Sequence, residues 1–553
     1  MVTLECSFKK LKELTKKDFS LKELENILLD LGFELDDAKS DDLKIDITSE
    51  RPDAVSVYGL SRILRNYFEI KSPDFTVLAP EKNYDVFIDK SVEKVRPYTV
   101  CAIVKKLSLT EEKLKELIWI QEKIHSTFGR GRKKTAIGIY PLEKIKLPIH
   151  FKADKPEKIV FRPLESSEEL NGFEILEKHK AGRDFKHLMD GLDKYSYFVD
   201  SGDEILSMPP IINSHRTGKV TVDTKEIFIE CSGHNLESLK QTLNLLVYIF
   251  VEMGGVVYSM NLHYPDKKIV TPDMKFEKRK ISKDYVKQIS GLDLSTKELA
   301  KLLKRAGHKI IDFNDKSVDL EVHNYRTDIW HDVDLIDDVL KIYGINNVKP
   351  KLPKVATHAN VLPENRIKNE ITELMIGLGF QEVFTLSLTN PEKQYIKMNT
   401  KEEKHIKLGS TVEQSISMLR TWLLPCAIET LHENRNAAYP QKLFEINDCV
   451  IPNDKKDVKS ENVLKMSCLI ADADVDFTKI KQTLIYVLET IGFSQIELKE
   501  QSHGSFIEGR CAKVLVNKKE VGFLGEINPQ VLDNWDLEVL VSAFELNLSV
   551  LFD

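Results

Sequence analysis

Five aspartates lie between residues 326 and 343 of the sequence, and four of them have positions that could bring their carboxylates together. Asp334, Asp337 and Asp338 are three and four residues apart, so a helix would carry all three on one face, and Asp328 lies just upstream. Carboxylate oxygens are the ligands that a hard cation such as Mg²⁺ prefers. We therefore expect these four aspartates to form a magnesium site, and we expect the chain to fold without the carboxylates of Asp334 and Asp338.

A solvated helix face is the alternative interpretation of these acids. The helix dipole favours negative charges near its N-terminus, and Lys341 follows Asp337 by one turn. Like charges four residues apart, as at Asp334 and Asp338, destabilise a helix by roughly 0.2–0.5 kcal/mol unless a cation lies between them. The apolar spacing predicts a helix from about Asp332, whose other face carries Leu335, Ile336, Val339, Leu340, Ile342 and Tyr343.

An internal repeat favours a specific role for the acids. Arg51-Pro-Asp53 aligns with Arg326-Thr-Asp328 at an offset of 326 − 51 = 275, and one offset holds without a gap from residue 20 to residue 64. Such self-similarity indicates two copies of one small domain. Where the second copy has Asp334, Asp337 and Asp338, the first has Gly59, Arg62 and Ile63. The module therefore folds without these acids.

Length and composition limit the class of protein. A chain of 553 residues indicates several domains. The net charge of −7 means that any nucleic-acid contact must come from a local basic patch. The seven cysteines form no Cys-x-x-Cys pair, which argues against a zinc site and a disulfide framework. The longest uncharged apolar run, residues 245–251, is far shorter than a bilayer span, and the N-terminus has no apolar signal core, so we expect a cytoplasmic protein without membrane contact.

Two further segments have residue types suited to binding. A helix predicted over residues 113–127 is followed by a basic cluster with two glycines, which could bind a phosphate backbone or could simply complement the helix dipole. The cluster comprises Arg130, Arg132, Lys133 and Lys134. The segment Ile205-Leu-Ser-Met-Pro-Pro-Ile-Ile-Asn-Ser214 could be a rigid turn or the wall of a pocket with placed hydrogen-bonding groups.

The patterning predicts an α+β multidomain chain of four parts. A duplicated small α/β module occupies residues 1–75 and 280–350, and a mixed α/β domain occupies residues 85–265. Residues 360–553 alternate helices with strands of an antiparallel sheet.

The repeat carries a resemblance to a known family. The pattern R-x-D-I-x-x-x-x-D-L-I-x-D-V-x-x-I-Y-G, from Arg326 to Gly344, resembles the β subunit of phenylalanyl-tRNA synthetase. The resemblance implies that the acids of this segment bind a magnesium ion shared with an α subunit. They are Asp328, Asp334, Asp337 and Asp338.

The mixed α/β region resembles the archaeal and eukaryotic-cytosolic editing domain of that family, through Arg96-Pro-Tyr98, Ile137-Gly-Ile139 and residues 208–214. The resemblance implies hydrolysis of tyrosine wrongly attached to the tRNA. An apolar synthetic pocket rejects an added hydroxyl by only about 10²-fold, so a second site is useful. We expect Ser207 and Asn213 in the editing pocket. No Ser/His/Asp or Cys/His arrangement lies nearby, so we expect a positioned water to attack the ester.

The last part resembles class II aminoacyl-tRNA synthetases but departs from their active-site motifs. Residues 364–388 resemble motif 1, which usually builds a subunit interface. Phe444-Glu445-Ile446 has an acid where motif 2 has the arginine of F-R-x-E, and no glycine-rich motif 3 ending in Glu-Arg is present. Those arginines stabilise the charge of the transition state, so we predict a synthetase-like domain that does not activate an amino acid.

The resemblance thus implies a β subunit of phenylalanine–tRNA ligase in an (αβ)₂ heterotetramer. The α subunit would use ATP as a substrate and would attach phenylalanine to tRNA. This chain would share the Mg²⁺ site, bind tRNA through the basic cluster and edit mischarged tRNA. Two other functions stay open, namely a free-standing editing hydrolase and a non-enzymatic RNA-binding scaffold.

Overall fold

The computed structural model describes residues 2–73, 75–353, 357–411, 413 and 415–552. The chain is a mixed α/β protein with several sheets, and it divides into two compact units, Met1–Leu352 and Pro353–Asp553. No helix of the described residues is long and apolar enough to cross a membrane.

The first unit begins with a small module built on a three-stranded antiparallel sheet of order β1-β3-β2. Its second helix starts with a capping box, in which Ser20 and Glu23 satisfy each other's backbone N–H groups. The elements are β1 (Val2–Ser7), α1 (Phe8–Thr15), α2 (Leu21–Asp30), β2 (Glu34–Lys39), β3 (Asp42–Ile47) and α3 (Val57–Tyr67).

A larger sheet forms the middle of the first unit. Its strand order among the described residues is β13-β12-β11-β8-β5-β15-β6-β14-β7, with β4 and β16 also paired to β15. Strands β9 and β10 pair separately. The elements are β4 (Val77–Leu78), β5 (Asp85–Ile88), β6 (Tyr98–Lys105), α4 (Glu111–Ser126), β7 (Thr135–Pro141), β8 (Ile149–Asp154), β9 (Val160–Phe161), β10 (Leu170–Asn171), α5 (Gly172–Lys178), α6 (Lys180–Phe185), β11 (Tyr195–Asp200), β12 (Ile205–Met208), β13 (Ile212–Asn213), α7 (His215–Gly218), β14 (Ile227–Gly233), α8 (Leu236–Glu252), β15 (Val256–His263) and β16 (Lys268–Thr271).

One hydrophobic core is shared by the first module and one face of this large sheet. Leu28 and Leu64 of the module belong to the same buried cluster as Ile229 and Leu243 of the larger domain. The two regions are therefore packed together rather than joined as separate globules. The second small module has a core of its own, which includes Leu299, Leu320 and Val339.

The second module repeats the elements of the first at a fixed distance along the chain. Its sheet order is β17-β19-β18, and helix starts differ by 283 − 8 = 275 and 296 − 21 = 275. Each sheet also has an irregularity at matching positions, Leu35/Asp37 and Ile310/Asp312. The elements are β17 (Glu277–Ser282), α9 (Lys283–Ser290), α10 (Thr296–Arg305), β18 (Lys309–Phe313), β19 (Ser317–Val322) and α11 (Asp332–Tyr343).

The two modules contact each other reciprocally. A Cβ added at Gly307 would lie 2.7 Å from Asn66 Nδ2, and one added at Gly32 would lie 3.4 Å from Lys341 Cε. Both pairs are equivalent under the repeat, because 32 + 275 = 307 and 66 + 275 = 341. Reciprocal contacts of this kind are those of a two-fold interface, here within one chain.

The second unit is built on a seven-stranded sheet of order β20-β23-β24-β28-β27-β26-β25. Only the β20–β23 pair is parallel within it. Alternate residues of its strands enter two separate hydrophobic clusters, as Phe444 and Leu443 do. The elements are α12 (Pro363–Gly377), β20 (Gln381–Glu382), β21 (Leu388–Thr389), β22 (Met418–Leu419), α13 (Leu424–Glu433), β23 (Gln441–Pro452), β24 (Ser460–Asp472), α14 (Phe477–Thr490), β25 (Ile496–Glu500), β26 (Phe506–Val516), β27 (Lys519–Ile527), α15 (Pro529–Asn534), β28 (Leu540–Asn547) and α16 (Leu548–Phe552).

Candidate functional site

A cavity of about 490 Å³ lies in the first unit, between α4, β7 and the segment that follows β12. Its walls are mostly aliphatic side chains, with a smaller number of polar groups placed among them. A concave, largely apolar site with a few convergent polar groups is typical of small-ligand binding. The aliphatic lining comprises Leu114, Leu117, Ile118, Ile137, Ile139, Leu164, Ile211, Ile212 and Val220.

Four polar side chains are joined at one side of this cavity. The Tyr140 hydroxyl lies 2.8 Å from Ser207 Oγ, 3.3 Å from Asn213 Oδ1 and 3.3 Å from Glu230 Oε1. Glu230 is opposite Gly138 in the β7–β14 ladder. A Cβ at Gly138 would lie 2.5 Å from Glu230 Oε1, so only glycine leaves room for the carboxyl group.

The Glu230 carboxyl group has an unusual environment for an acid. It is 2 % exposed, lines the cavity, and its Oε2 has no hydrogen-bond partner among the described residues. Burial raises the pKa of Glu230 to about 8, although Arg96 and the hydroxyl groups of Tyr140 and Ser232 act in the opposite direction. At neutral pH the group is therefore a carboxylic acid, able to donate as well as accept a hydrogen bond.

The structure separates the two residues that the sequence suggested for this pocket. Asn213 lies on the cavity wall, whereas Ser207 is buried behind Tyr140 and does not line the cavity. Glu230 and Tyr140 were missed by the sequence reasoning. The signal for Glu230 was present, because an acid interrupts the apolar run Ile227-Phe-Ile-Glu-Cys231 in a buried strand.

The predicted basic cluster also divides into two parts. Arg132 is directed inward: it donates to the Ile211 carbonyl at 2.9 Å, pairs with Glu122 at 2.9 Å and stacks on Phe185. It is part of the cavity wall rather than a free surface cation. Arg130 and Lys133 are exposed, and Lys134 lies over the Phe128 ring.

His125, next to this cluster, contributes no positive charge. Its Nε2 accepts a hydrogen bond from the Ile137 backbone N–H at 2.8 Å, which requires an unprotonated nitrogen. Burial lowers the pKa of His125, against the opposing influence of Glu122.

The acidic segment folds around an arginine. Arg326 Nη2 lies 2.8 Å from Asp338 Oδ2 and 2.7 Å from Asp328 Oδ2. His308 Nε2 lies 2.6 Å from the same Asp338 oxygen. Burial alone would raise the pKa of Asp338, but Arg326 and His308 hold it well below its usual range. Asp338 is thus on the buried side of α11, where we had expected it on the exposed side.

The expected convergence of four carboxylates is therefore not seen. Asp334 accepts hydrogen bonds from the backbone N–H groups of Trp330 and His331, both at 2.7 Å, and caps the start of α11. Asp337 is exposed and pairs with Lys341 at 2.8 Å. Among the described ranges, no group of three or more His, Cys, Asp or Glu side chains is arranged to hold a metal ion. Because Arg326 pairs with Asp328 and Asp338, the two of the four predicted ligands that remain accessible are Asp334 and Asp337.

The first module has the counterpart of this arginine cluster. Arg51 forms a two-pronged pair with Asp53, at 2.9 and 3.0 Å. Burial would raise the pKa of Asp53, but Arg51 holds it at about 2. Arg51 and Asp338 line one small cavity between the modules, so the equivalent arginine pairs of the two copies lie side by side.

In the second unit, two buried acids on one sheet face are each paired to a cation. Glu445 of β23 and Glu545 of β28 both lie opposite Ser467 of β24, the strand between them. Arg420 pairs with Glu445 at 2.9 Å, and Lys465 pairs with Glu545 at 3.0 Å. Both cations of this face are thus neutralised within the chain.

Comparisons with known proteins give a consistent result. The model described as "Phenylalanyl tRNA synthetase beta chain CLM domain" matches residues 348–548, and the "tRNA synthetase B5 domain" model matches residues 279–345. The phenylalanine–tRNA ligase β subunit of Pyrococcus abyssi is 40% identical over 560 residues, covering 100% of both chains. That of Pyrococcus furiosus is 38% identical over 550 residues, covering 98% of both.

The chain belongs to the phenylalanine–tRNA ligase β-subunit family. A solved structure supports the same conclusion for the first unit: an N-terminal fragment of the phenylalanyl-tRNA synthetase β subunit from Pyrococcus horikoshii is 37% identical and has a TM-score of 0.59. The match covers 62% of this chain and 99% of the fragment. The β-subunit family implies an α-subunit partner and a tRNA substrate.

The raised pKa of Glu230 predicts a pH-dependent stability. The folded chain keeps this proton up to about pH 8, whereas an unfolded glutamate loses it near pH 4.5. Folding stability from this group is therefore fully present below pH 4.5 and is lost as pH rises to about 8. Glu230→Gln, which cannot ionise, should therefore gain roughly 5 kcal/mol of unfolding free energy relative to the parent chain as the pH rises from 4.5 to about 8.

Denaturant unfolding of both chains at a series of pH values measures this difference. Glu143→Gln, at an exposed position of the same domain, serves as the control and should follow the parent profile. Parallel profiles for Glu230→Gln and the parent chain would show that the carboxyl group is already ionised at neutral pH.

Proposed function

We propose that this chain is the editing and scaffolding subunit of a phenylalanine–tRNA ligase, and that the cavity beside β7 hydrolyses tyrosine wrongly attached to the tRNA. The observation that carries the proposal is the Glu230 carboxyl group, which has an oxygen without a partner at a largely aliphatic cavity. A buried polar group in that state is stabilised by a ligand that supplies the missing hydrogen bond.

Tyrosine and phenylalanine differ by the group that this cavity would recognise. A tyrosyl hydroxyl can hydrogen-bond with Glu230 Oε2 and with Asn213, and a phenylalanyl ring leaves Glu230 Oε2 without a partner. Sites built around a hydrogen bond reject the analogue that lacks it by about 10⁴–10⁵-fold, much more than apolar pockets reject an added hydroxyl. The cavity therefore suits the removal of tyrosine and the sparing of phenylalanine.

Hydrolysis at this site would use water. The described residues that line the cavity include no Ser, Thr or Cys, so no side-chain nucleophile of that kind faces the ester. His215 lines the cavity, and its Nδ1 has no partner among the described residues. Burial lowers the pKa of His215, so the neutral imidazole is available to orient a water molecule toward the carbonyl carbon.

The ATP-dependent step is assigned to the α subunit. An adenylating site needs cations directed at phosphate oxygens, and Arg420 and Lys465 are instead paired with buried glutamates of the same sheet face. Glu445 stands where a class II synthetase would have its motif 2 arginine, and it binds Arg420. These contacts support a class II synthetase-like domain that does not activate an amino acid.

The partner surface that we propose lies on the second unit. The segment between β20 and β21 has an extended alternation in which Phe384 is 86% exposed and Leu386 is 72% exposed. Ile376 of the preceding helix is also largely exposed. Apolar side chains exposed in such a group mark protein interaction sites, and an (αβ)₂ assembly would cover them.

For tRNA contact we propose Arg130, Lys133 and Lys134, which follow α4 near the cavity. Arg132 from the same cluster is assigned to the cavity wall, because its guanidinium group is held by Glu122 and by backbone carbonyls. Cations beside an editing cavity would neutralise the phosphates of the tRNA end that enters it.

As a set of four, Asp328, Asp334, Asp337 and Asp338 do not fit a magnesium site in this chain, because Arg326 neutralises two of them. Mg²⁺ is commonly held by one or two carboxylates together with water. We propose that Asp334 and Asp337 provide these, and that the α subunit completes the shell. The ion would supply positive charge at a subunit contact.

Removing the Glu230 carboxyl group should slow editing and leave phenylalanine attachment unchanged. Glu230→Leu is expected to slow hydrolysis of tyrosyl-tRNA by about 10²-fold, since the tyrosyl hydroxyl loses its partner. Asn213→Ala should cost less, about tenfold. Deacylation of preformed tyrosyl-tRNA by the assembled enzyme measures both effects, and phenylalanine attachment should not change.

The control variant is Glu143→Leu, which should edit normally. If Glu230→Leu and Asn213→Ala both hydrolyse tyrosyl-tRNA at the rate of the parent enzyme, the assignment is contradicted and a non-enzymatic scaffold is favoured. Full editing by the chain without an α subunit would favour a free-standing hydrolase.

The four aspartates should separate into two classes. Asp334→Asn with Asp337→Asn should weaken Mg²⁺-dependent assembly with the α subunit and leave the chain folded. Asp338→Asn should instead destabilise the chain by about 3 kcal/mol, because the buried Arg326 loses one of its two neutralising carboxylates and keeps only Asp328. Calorimetry with Mg²⁺ and denaturant unfolding separate the two. Unchanged magnesium dependence of the double variant would contradict the metal assignment.

A further inference from the structure

A second cavity, of about 320 Å³, lies where the two small modules meet. The first module contributes Asn66 and residues 69–72, and the second contributes Lys304, His308 and Lys309, with His323 alongside. Lys304 and Lys309 are exposed, so the cavity opens to solvent on its basic side. This cavity is separate from the one beside β7 and shares no lining residue with it.

Two lysines of the second module are available at this cavity for an anionic ligand, and one carboxylate, Glu69, also lines it. Lys304 takes part in no ion pair among the described residues, and Lys309 pairs only with Glu321 at the surface, at 2.8 Å. Surface lysines alone do not make a site. A buried histidine, His308, is a second and independent indication that this cavity binds a ligand.

His308 is 3% exposed and lines the cavity. Its Nε2 faces Asp338 at 2.6 Å, and its Nδ1 has no hydrogen-bond partner among the described residues. A carboxylate that accepts from one ring nitrogen fixes the ring orientation and leaves the other nitrogen as the acceptor. The imidazole is thus held in place by Asp338 while its free nitrogen lacks a donor.

The first module gives an internal control for these residues. At the positions equivalent to His308 and Asp338 it has Phe33 and Ile63, since 308 − 275 = 33 and 338 − 275 = 63. A buried ion pair is often no more stable than the apolar pair that replaces it. The module thus folds with an apolar pair at these positions, so stability alone does not explain the histidine and its acid.

The two lysines of the cavity are also absent from the equivalent positions of the first module. Lys304 and Lys309 correspond to Leu29 and Glu34 in the first module, since 304 − 275 = 29 and 309 − 275 = 34. The first copy has neither the cations nor the histidine at the equivalent place. Three residues suited to ligand binding, two lysines and a histidine, are therefore found together at one cavity of one copy, on a fold that does not require them.

We propose that this inter-module cavity binds one nucleotide of an RNA chain. Lys304 and Lys309 contact the phosphate, and His308 accepts a hydrogen bond from the ribose 2′-hydroxyl. A ribose phosphate is the ligand that supplies both an anion for the lysines and a hydroxyl donor for the imidazole. The inference rests on the proposed function, in that tRNA is the RNA concerned, but it assigns a contact far along the chain from the editing cavity.

The test replaces cavity residues by those of the first module. Lys304→Leu with Lys309→Glu should weaken tRNA binding by the assembled enzyme about tenfold and reduce the salt dependence of log Kd by about one to two units, as expected for lost phosphate contacts. Both positions are exposed, so the variant should fold. Lys297→Leu with Lys316→Glu changes the net charge by the same amount at two exposed lysines of the same module that do not line the cavity. This charge-matched control should bind normally.

His308→Phe tests the ribose contact separately. Asp338 keeps its pair with Arg326 in this variant, so the charge of the buried cluster is preserved. With an RNA hairpin and a DNA hairpin of the same sequence as probes, the parent enzyme should prefer RNA. His308→Phe should reduce that preference several-fold with little change in DNA affinity.

The outcomes distinguish this inference from the proposed function. If the lysine variant binds tRNA as tightly as the parent while an Arg130, Lys133 and Lys134 variant binds weakly, the inter-module cavity is not an RNA site and the proposed function stands. If the assembled enzyme binds no tRNA, both fail. If the preference for RNA over DNA is the same in the parent enzyme and in His308→Phe, the ribose contact is overturned.

Discussion

The first unit depends on buried arginines that need acidic partners. Arg326 is 7% exposed, and a guanidinium group at that depth is costly unless carboxylates neutralise it and accept its hydrogen bonds. Asp328 and Asp338 do this in the second module, and Asp53 does it for Arg51 in the first. The two clusters lie side by side at the junction of the modules, and each arginine is neutralised by acids of its own module.

The two copies satisfy this requirement differently, and the difference has consequences for function. The first copy places Arg62 against the rings of Tyr325 and Tyr248, so its extra charge is used in packing between modules. The second copy adds Asp338 and His308 at positions where the first has aliphatic and aromatic residues. One duplicated fold has thus retained a structural surface in one copy and acquired polar groups in the other.

The sequence predicted the elements well where periodicity and repetition determine them. The helix from Asp332 to Tyr343 and the matching elements of the two modules follow from apolar spacing and from a constant offset. It failed where long-range pairing decides the outcome. Asp338 has the helical position of a surface acid, but Arg326 and His308, which come from other elements, draw it inward. Arg132 likewise belongs to a basic run, yet the carbonyls of a segment almost 80 residues away hold it in a wall.

The cavity beside β7 shows the same limit. Asn213 was predicted from a local motif, and Glu230 was not, because its meaning depends on Gly138 and Tyr140 across a sheet ladder. No local pattern indicates that a strand residue will be buried with an unpartnered oxygen. Residues that act through tertiary neighbours are therefore the part of a site that composition and spacing leave undetermined.

The pairing of the buried Arg326 with Asp338 is tested most directly by a double-mutant cycle between these two residues in the full chain. The parent chain, Arg326→Met, Asp338→Leu and the double variant are compared by their free energies of unfolding. The account predicts a coupling energy of about 2–3 kcal/mol, with the double variant more stable than the sum of the single changes implies. Additive effects would contradict it, because they would mean that Asp338 is not the partner that neutralises the buried arginine.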